Sequence, residues 1–406
     1  MPARRAIGHS LIAPSVFSLD PMRHAVLAAR RPRGHNSIAA DALPLHLRLR
    51  ASGLPRMDTS RQQSVLVTGA SGFIGVHLVR ALVARGRPVF CLVRPTSHAK
   101  ELLAAGAELV IGDVNDRAGI SRAIALSNAR VVFHLAGLVR ALSPGDFMRV
   151  NAEGVEAVAA ACTEQAERPV LLLVSSLAAA GPSAAAPKME SDPPLPVSDY
   201  GRSKLAGEQA AARHAGALPI TIVRPCVVFG AGDRGMYEVF NAVARSGIHV
   251  VHGHGDSRIS LIAVADLVEC IVLAAENGER LGPDGAGRGI YFVGAEDLSH
   301  VELGIAIARA LEKRQPRIVR FPGGLLRVAG LCGDVAARIR RHPGWVNSDK
   351  ISELLAGSWT CSSAKARRQL GWSPAASLAD RLRETAQWYL DARWLQQPPS
   401  PQSVRS

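Results

Sequence analysis

From residue 64 the hydrophobic positions fall into short blocks separated by stretches of helical spacing. Val65–Thr68 is a run of four that stops at Gly69. Pro88–Val93, Glu108–Ile111, Val131–Ala136, Val170–Ser175 and Ile220–Pro225 repeat the type. Short β-branched runs without polar alternation read as strands buried on both faces. Between them, Phe73–Arg85, Arg117–Leu126, Phe147–Glu164 and Asp199–His214 carry apolar residues three and four apart, which predicts amphipathic helices. This alternation predicts an α/β fold, a Rossmann doubly wound parallel sheet.

After Pro225 the texture changes. Gly230–Gly235 reads as a loop and Val250–Ile262 as irregular, while Val264–Ala275 reads as a helix and Gly289–Val293 as a strand. Four more helical patterns follow, Ser299–Leu311, Leu325–Arg340, Asp349–Leu355 and Leu378–Leu390. They predict a smaller, mostly helical C-terminal substrate lobe. The expected organisation is a Rossmann domain over 64–235 with 264–293 returning to it, and a substrate-binding lobe from 236–263 and 294–395. The tail 396–406 has no means to build a core and is expected to be disordered. Residues 1–60 read as an N-terminal extension, disordered or not native.

Composition narrows the class. The chain has 406 residues, of which 48% are hydrophobic and only 4% aromatic, so its core must be Ala, Val, Leu and Ile. No stretch approaches the roughly 20 apolar residues of a membrane helix. Six scattered cysteines form no CxxC pair, which argues against a zinc site or a disulfide framework and fits a reducing cytoplasm. The net charge is +14, and residues 1–56 hold nine Arg, no Lys and two acids. A transit peptide is one reading of that segment; a natural start at Met57 is the other. The remaining +7 reads as dispersed, with no basic run interleaved with aromatics, so a small-molecule substrate is expected and a nucleic acid is not.

The candidate chemistry begins at the first strand-to-helix turn. Gly69, Gly72 and Gly75 are spaced for a phosphate loop. Gly69 permits the tight turn, Gly72 lets backbone approach a pyrophosphate, and Gly75 lets the helix pack close. Thr68, Ser71, Phe73 and Ile74 complete the cradle, whose helix N-terminus offers free N–H groups. The alternative is an ordinary glycine-rich turn. NAD sites usually place an acid after the second strand; here that strand ends at Arg94, and no acid occurs between Gly86 and Lys100. A guanidinium fork suits a 2′-phosphate and contributes about 1.5–3 kcal/mol, or roughly 10–100-fold in affinity. NADP(H) is therefore favoured over NAD(H), unless Arg94 is only a solvated strand end. Asp113 and Val114 follow the third strand, where side chains flank an adenine. Ala136 and Gly137 follow the fourth, where small residues admit a cofactor.

Tyr200 and Lys204 stand four apart on a predicted helix and so share a face. A phenol has a pKa near ~10, and a neighbouring ammonium is expected to lower it toward the working range. Ser176, at the end of a strand, is placed to orient the same substrate oxygen. His134 reads as a packed strand residue. His252 and His254 flank a glycine without a cluster of metal ligands, so no metal is expected. Cys226 falls just beyond Pro225.

Together the glycine loop, Asp113-Val114, His134–Gly137, Asn151, Val174–Ser176, Tyr200–Lys204, Arg224-Pro225, Arg258…Asp266 and Leu370–Pro374 resemble the extended short-chain dehydrogenase/reductases, the NAD-dependent epimerase/dehydratase superfamily. The resemblance implies Ser176, Tyr200 and Lys204 as the catalytic set. It implies a cofactor lined by the glycines, Arg94, Asp113, Val114, Ala136, Tyr200, Lys204 and Pro225. It places Asn151 near the active-site mouth, on the helix behind it, and it implies a homodimer through Phe147–Glu164 and Asp199–His214. Sugar-nucleotide epimerases of this superfamily carry an aromatic pair after the serine and an Asn after the later strand. Here Leu177–Gly181 is small and apolar, and Arg224–Gly230 has no Asn. The lean is toward the branch resembling dihydroflavonol reductases and 3β-hydroxysteroid dehydrogenases, acting on a lipophilic alcohol or ketone. Arg258 keeps a sugar-nucleotide epimerase or dehydratase open as the alternative. A non-catalytic NADP-binding sensor would not need the intact Ser/Tyr/Lys set.

Overall fold

Twelve strands lie among the described residues, which are 63–252, 256–282, 287–344 and 346–395 of a computed structural model. The expectations for 1–60, for the tail 396–406 and for His254 fall outside them. In chain order the first six are β1 (Val65–Thr68), β2 (Val89–Val93), β3 (Glu108–Ile111), β4 (Val131–His134), β5 (Val170–Val174) and β6 (Ile220–Pro225). The remaining six are β7 (Val227–Phe229), β8 (Ile248–His252), β9 (Arg258–Ala263), β10 (Ile290–Val293), β11 (Glu296–Ser299) and β12 (Arg317–Phe321). Seven of them pair in parallel in the order β3-β2-β1-β4-β5-β6-β10. The order reverses between β1 and β4, which opens the crevice where doubly wound sheets bind ligands. Helices cover both faces. Phe73–Ala84 and Val264–Asn277 close one core; Arg117–Ser127 and Gly154–Thr163 close the other.

Residues 248–252 and 258–263 correct one expectation. They are not irregular: β8 pairs in parallel with β12, and β9 sits between β7 and β11. The partners of β8 and β11–β9 pairing lie tens of residues downstream, so no local hairpin signal announces them. Helix Arg234–Ser246 was likewise hidden behind the glycine-rich loop. It packs with His300–Ala310 and Leu378–Asp391 in a third core around Phe240 and Tyr389. The stretch 147–164 is not one regular helix. Pro144–Met148 passes through a π turn, Arg149–Glu153, before Gly154–Thr163 resumes α geometry. That wider turn contains Asn151, whose amide is fully engaged with the Leu138 backbone and Ser203.

Two ion pairs tie the architecture together. Asp266 receives both Arg381 Nε and a terminal nitrogen at 2.9 and 2.7 Å, while Trp372 Nε1 donates to its carbonyl at 2.9 Å. The late motifs around Asp266 and Trp372 therefore meet each other. Deeper still, Glu208 of helix Asp199–Ala212 accepts from Arg224 of β6 at 2.9 and 2.5 Å, with both side chains about 5% exposed or less. Ser175 donates to the same carboxylate. Removing one charge of such a buried pair costs about 3–5 kcal/mol, because the other is left uncompensated. Glu208→Gln is therefore expected to lower unfolding free energy by about that amount in urea denaturation. A loss below about 1 kcal/mol would contradict this role.

Candidate active site

At the end of β1 the chain turns through Gly69 with φ +68, and a Cβ there would stand 2.5 Å from the Ala136 nitrogen. A Cβ on Gly75 would meet the Gly69 carbonyl at 2.3 Å. Only glycine lets the loop lie between β4 and the start of helix Phe73–Ala84. That helix begins at Gly72 with no side-chain cap, and Ser71 and Gly72 are exposed. An uncapped helix start facing an open glycine loop fits the diphosphate of a dinucleotide. Thr68, Phe73 and Ile74 sit in this turn; Thr68 Oγ1 meets His134 Nδ1 at 2.7 Å. The other His134 nitrogen is buried without a partner, and burial, aided by Lys204, pushes that imidazole down to about 3, so it is neutral.

The flanking positions gather along the same crevice edge. Arg94 follows the last residue of β2, is exposed and makes no ion pair among the described residues. Asp113 is exposed and accepts from Asn115, and Val114 packs partly into the core. Ala136 N approaches Thr68 Oγ1 at 3.4 Å, and a Cβ on Gly137 would stand 3.6 Å from Lys204 Nζ.

Helix Asp199–Ala212 brings Tyr200 and Lys204 to one face. A Cβ on Gly201 would lie 2.4 Å from the Ala178 carbonyl, so the helix seats tightly against the short helix that Ser176 caps. Lys204 Nζ donates to the Val174 carbonyl at 2.8 Å, and burial lowers its pKa to about 8 against the opposing pull of Glu208. The expected lowering of the phenol by Lys204 is not found. Burial pushes Tyr200 up to about 12; the Ser176 hydroxyl opposes the rise and Glu353 adds to it. Desolvation of the phenolate is the largest cause, and the Lys204 ammonium is engaged instead with the Val174 carbonyl.

Ser176 and Tyr200 open onto a cavity of about 330 Å³. Its walls include Leu177, Ala178, Val227, Ile259, Leu354 and Trp359, and Pro225 and Cys226 line it beside them. Three polar side chains also reach it, His300, Lys350 and Glu353. The last two lie on helix Ser348–Leu355, which sequence reasoning did not connect to the site. Asp349 accepts from the Asp199 and Tyr200 amides at 2.6 and 3.2 Å. Glu353 accepts from Ser198 Oγ at 2.6 Å and from Lys350, whose ammonium stands 4.5 Å over the Tyr200 ring. No signal in the sequence links these residues, because 150 positions separate them.

Neither Asn151 nor Arg258 lines this cavity itself. Asn151 is buried behind Gly137 and holds Leu138 and Ser203. Arg258 donates to the Asp297 carbonyl and pairs with Glu302, while its neighbour Ile259 faces the cavity. His252 meets Ser257 at 3.1 Å and lies edge-on to His300. Among the described residues no group of three His, Cys, Asp or Glu side chains could hold a metal ion.

The family model "NAD dependent epimerase/dehydratase family" matches residues 65–294. A ceramide reductase from Caulobacter vibrioides is 32% identical over 84% of this chain and 98% of its own length. A 4-hydroxy-2-methyl-3-oxo-4-farnesyl-3,4-dihydroquinoline-1-oxide ketoreductase from Stigmatella aurantiaca is 30% identical over 76% of this chain and 91% of its own. The solved UDP-glucose 4-epimerase from Thermus thermophilus in complex with NAD superposes with a TM-score of 0.64, covering 80% of this chain and 99% of that one at 24% identity. That last likeness is one of fold.

Gly69→Ala is expected to destabilise the chain by about 1–3 kcal/mol, since it forces a side chain into left-handed backbone against Ala136. Thermal melts and dinucleotide titration check it: unchanged melting with unchanged affinity would contradict the cradle.

Proposed function

The chain belongs to the NAD-dependent epimerase/dehydratase family, and we propose that within it the protein reduces the carbonyl of a lipophilic substrate at the expense of NADPH. The observation that carries this reading is the apolar lining of the cavity around Ser176 and Tyr200. A diphosphate-bearing substrate would want polar partners there. Leu177, Ala178, Val227 and Leu354 offer none, the Lys350 ammonium is already paired with Glu353, and burial lowers His300 to about 4 and keeps it neutral. Two relatives named for reduction of ceramide and of a farnesyl-bearing quinoline oxide support it.

A bound nicotinamide supplies the hydride. The glycine loop and the start of helix Phe73–Ala84 would hold the diphosphate, Asp113 and Val114 would flank the adenine, and the Arg94 fork would meet the 2′-phosphate. Lys204, whose ammonium lies close to Gly137, would hold the ribose. The raised pKa of Tyr200 keeps its phenol protonated at neutral pH, which suits it to donate a proton to the carbonyl oxygen as that oxygen becomes an alkoxide. Ser176 donates to the same oxygen and fixes its position. The reading extends to a homodimer through the helices spanning 144–163 and 199–212. Five of the six free cysteines are buried, which fits action in the cytoplasm.

Tyr200→Phe is expected to lower kcat by about 10²–10⁴-fold with NADPH affinity nearly unchanged. Near wild-type turnover would overturn the mechanism. Arg94→Ala should weaken NADPH roughly 10–100-fold and leave NADH alone; NADH binding as tightly as NADPH in the wild type would remove the preference. Because Lys204 carries its charge only below about pH 8, kcat/KM for NADPH should fall as pH rises through that value. A flat profile would show that the ammonium does not serve the cofactor. A gain in melting temperature with UDP or TDP sugars, and none with lipophilic ketones, would favour the epimerase.

A further inference from the structure

The positive charge beyond residue 56 is not dispersed, as its count along the chain first suggested. Residues 313–341 hold eight Arg and Lys against one acid, a net of +7, so the remainder beyond residue 56 nets zero. The acid, Asp334, is turned inward onto Ser348. The latter part of this segment is helix Gly323–Arg340, whose buried residues are Gly330 and Ala337; Lys313, Arg314, Arg317 and Arg320 precede it. On its other side Leu325, Val328, Cys332, Val335 and Ile339 recur at alternating steps of three and four, which aligns them in one stripe. The four aliphatic members are 56–78% exposed, and Leu331 beside them is 61% exposed. Arg327 and Arg338 border one edge, Arg340 the other, and Arg341 follows the last turn. None of these four makes an ion pair among the described residues.

Other amphipathic helices of the chain turn their apolar side inward, as Arg234–Ser246 does with Met236, Phe240 and Val243. Helix Gly323–Arg340 instead presents an apolar stripe with cationic borders to solvent. A lone apolar face would suit many partners, but cations along both edges select one that is anionic where it is polar and apolar just beneath. That is the layering of a bilayer surface rich in acidic lipids. No helix among the described residues is long and apolar enough to cross a membrane, so the fitting geometry is a helix lying in the interface. We propose that helix Gly323–Arg340 docks this protein onto an anionic membrane surface.

The position of the helix gives docking a use. A groove of about 420 Å³ runs between it and helix Ser348–Leu355, lined by Arg327, Leu331, Ile351 and Leu355 among others. The same short helix presents Lys350, Glu353 and Leu354 to the cavity of Tyr200. One helix thus separates the docking face from the active site, and a lipophilic carbonyl lifted from the bilayer reaches the groove first. This last step rests on the proposed reductase reading; the docking face rests on exposure and charge alone.

Cys332 is the exposed cysteine among five buried ones, so a polarity-sensitive maleimide dye on the full-length protein reports the stripe directly. Vesicles of phosphatidylcholine with about a third phosphatidylglycerol should blue-shift the dye and sediment the protein, and phosphatidylcholine alone should do neither. The triple change Val328→Glu, Val335→Glu and Ile339→Glu should weaken vesicle binding at least about ten-fold, with melting temperature and NADPH affinity unchanged. Arg327→Ala, Arg338→Ala and Arg340→Ala together should cost on the order of 100-fold, at about five-fold each, and flatten the salt dependence. The proposal falls if anionic vesicles leave the dye unshifted. It falls if both variants bind as tightly as wild type, which would assign the attraction to the arginine-rich first 56 residues. It also falls if the wild type is a dimer that the glutamate variant splits, which would make the stripe a contact with a second copy. NADPH oxidation with a lipophilic ketone dispersed in neutral detergent separates the two readings: vesicle binding without such turnover supports the docking face and counts against the reductase, and turnover without vesicle binding does the reverse.

Discussion

A buried carboxylate sets the orientation of the helix that carries Tyr200 and Lys204. Glu208 lies one turn beyond Lys204 and two beyond Tyr200 on the same face, and Arg224 meets it from β6. A charge in this interior is tolerable only when paired and fully hydrogen-bonded, so the helix cannot roll without exposing Arg224 to an apolar surround. Ser175 completes the carboxylate's partners and belongs to the turn that carries Ser176. One ion pair therefore fixes three things together: the helix, the end of β5 and the end of β6. Lys204 then has nowhere to point but the Val174 carbonyl and the floor beneath Gly137.

The N-terminal end of that helix is held by different means. Its first amides would be orphaned next to an apolar cavity. Ser198 caps from within, accepting from Gly201, and Asp349 accepts from Asp199 and Tyr200. The carboxylate that completes the cap thus comes from the C-terminal lobe. Glu353, one turn further, takes the Ser198 hydroxyl and anchors Lys350 over the Tyr200 ring. The lobe closes the cavity and caps the helix in a single contact. Burial of the phenol, which raises its pKa, follows from this closure rather than from anything on Tyr200's own helix.

The parts legible in the sequence are those whose physics is local. The glycine loop could be read because left-handed backbone at Gly69 and close packing at Gly75 demand glycine whatever surrounds them. The parallel strands could be read because burial on both faces leaves uninterrupted apolar runs. The pairing of β8 with β12 could not be read, since neither strand has its partner nearby. Nor could the π turn at Asn151, where an amide satisfying Leu138 and Ser203 outweighs regular helix geometry. The pattern at Leu325–Arg340 was legible as a helix, but not as one whose apolar side faces out.

By itself the sequence determined the sheet, the glycine turn after β1, and the spacing that puts Tyr200 and Lys204 on one helical face, because each depends on contacts within a few residues. Tertiary structure alone decided which carboxylates cap and clamp that helix, how far the phenol is desolvated, and which side of helix Gly323–Arg340 is left to solvent. Those outcomes depend on groups as far as 150 residues apart. Burial and charge pairing are properties of what packs against a side chain, and a chain read in order does not contain that neighbour.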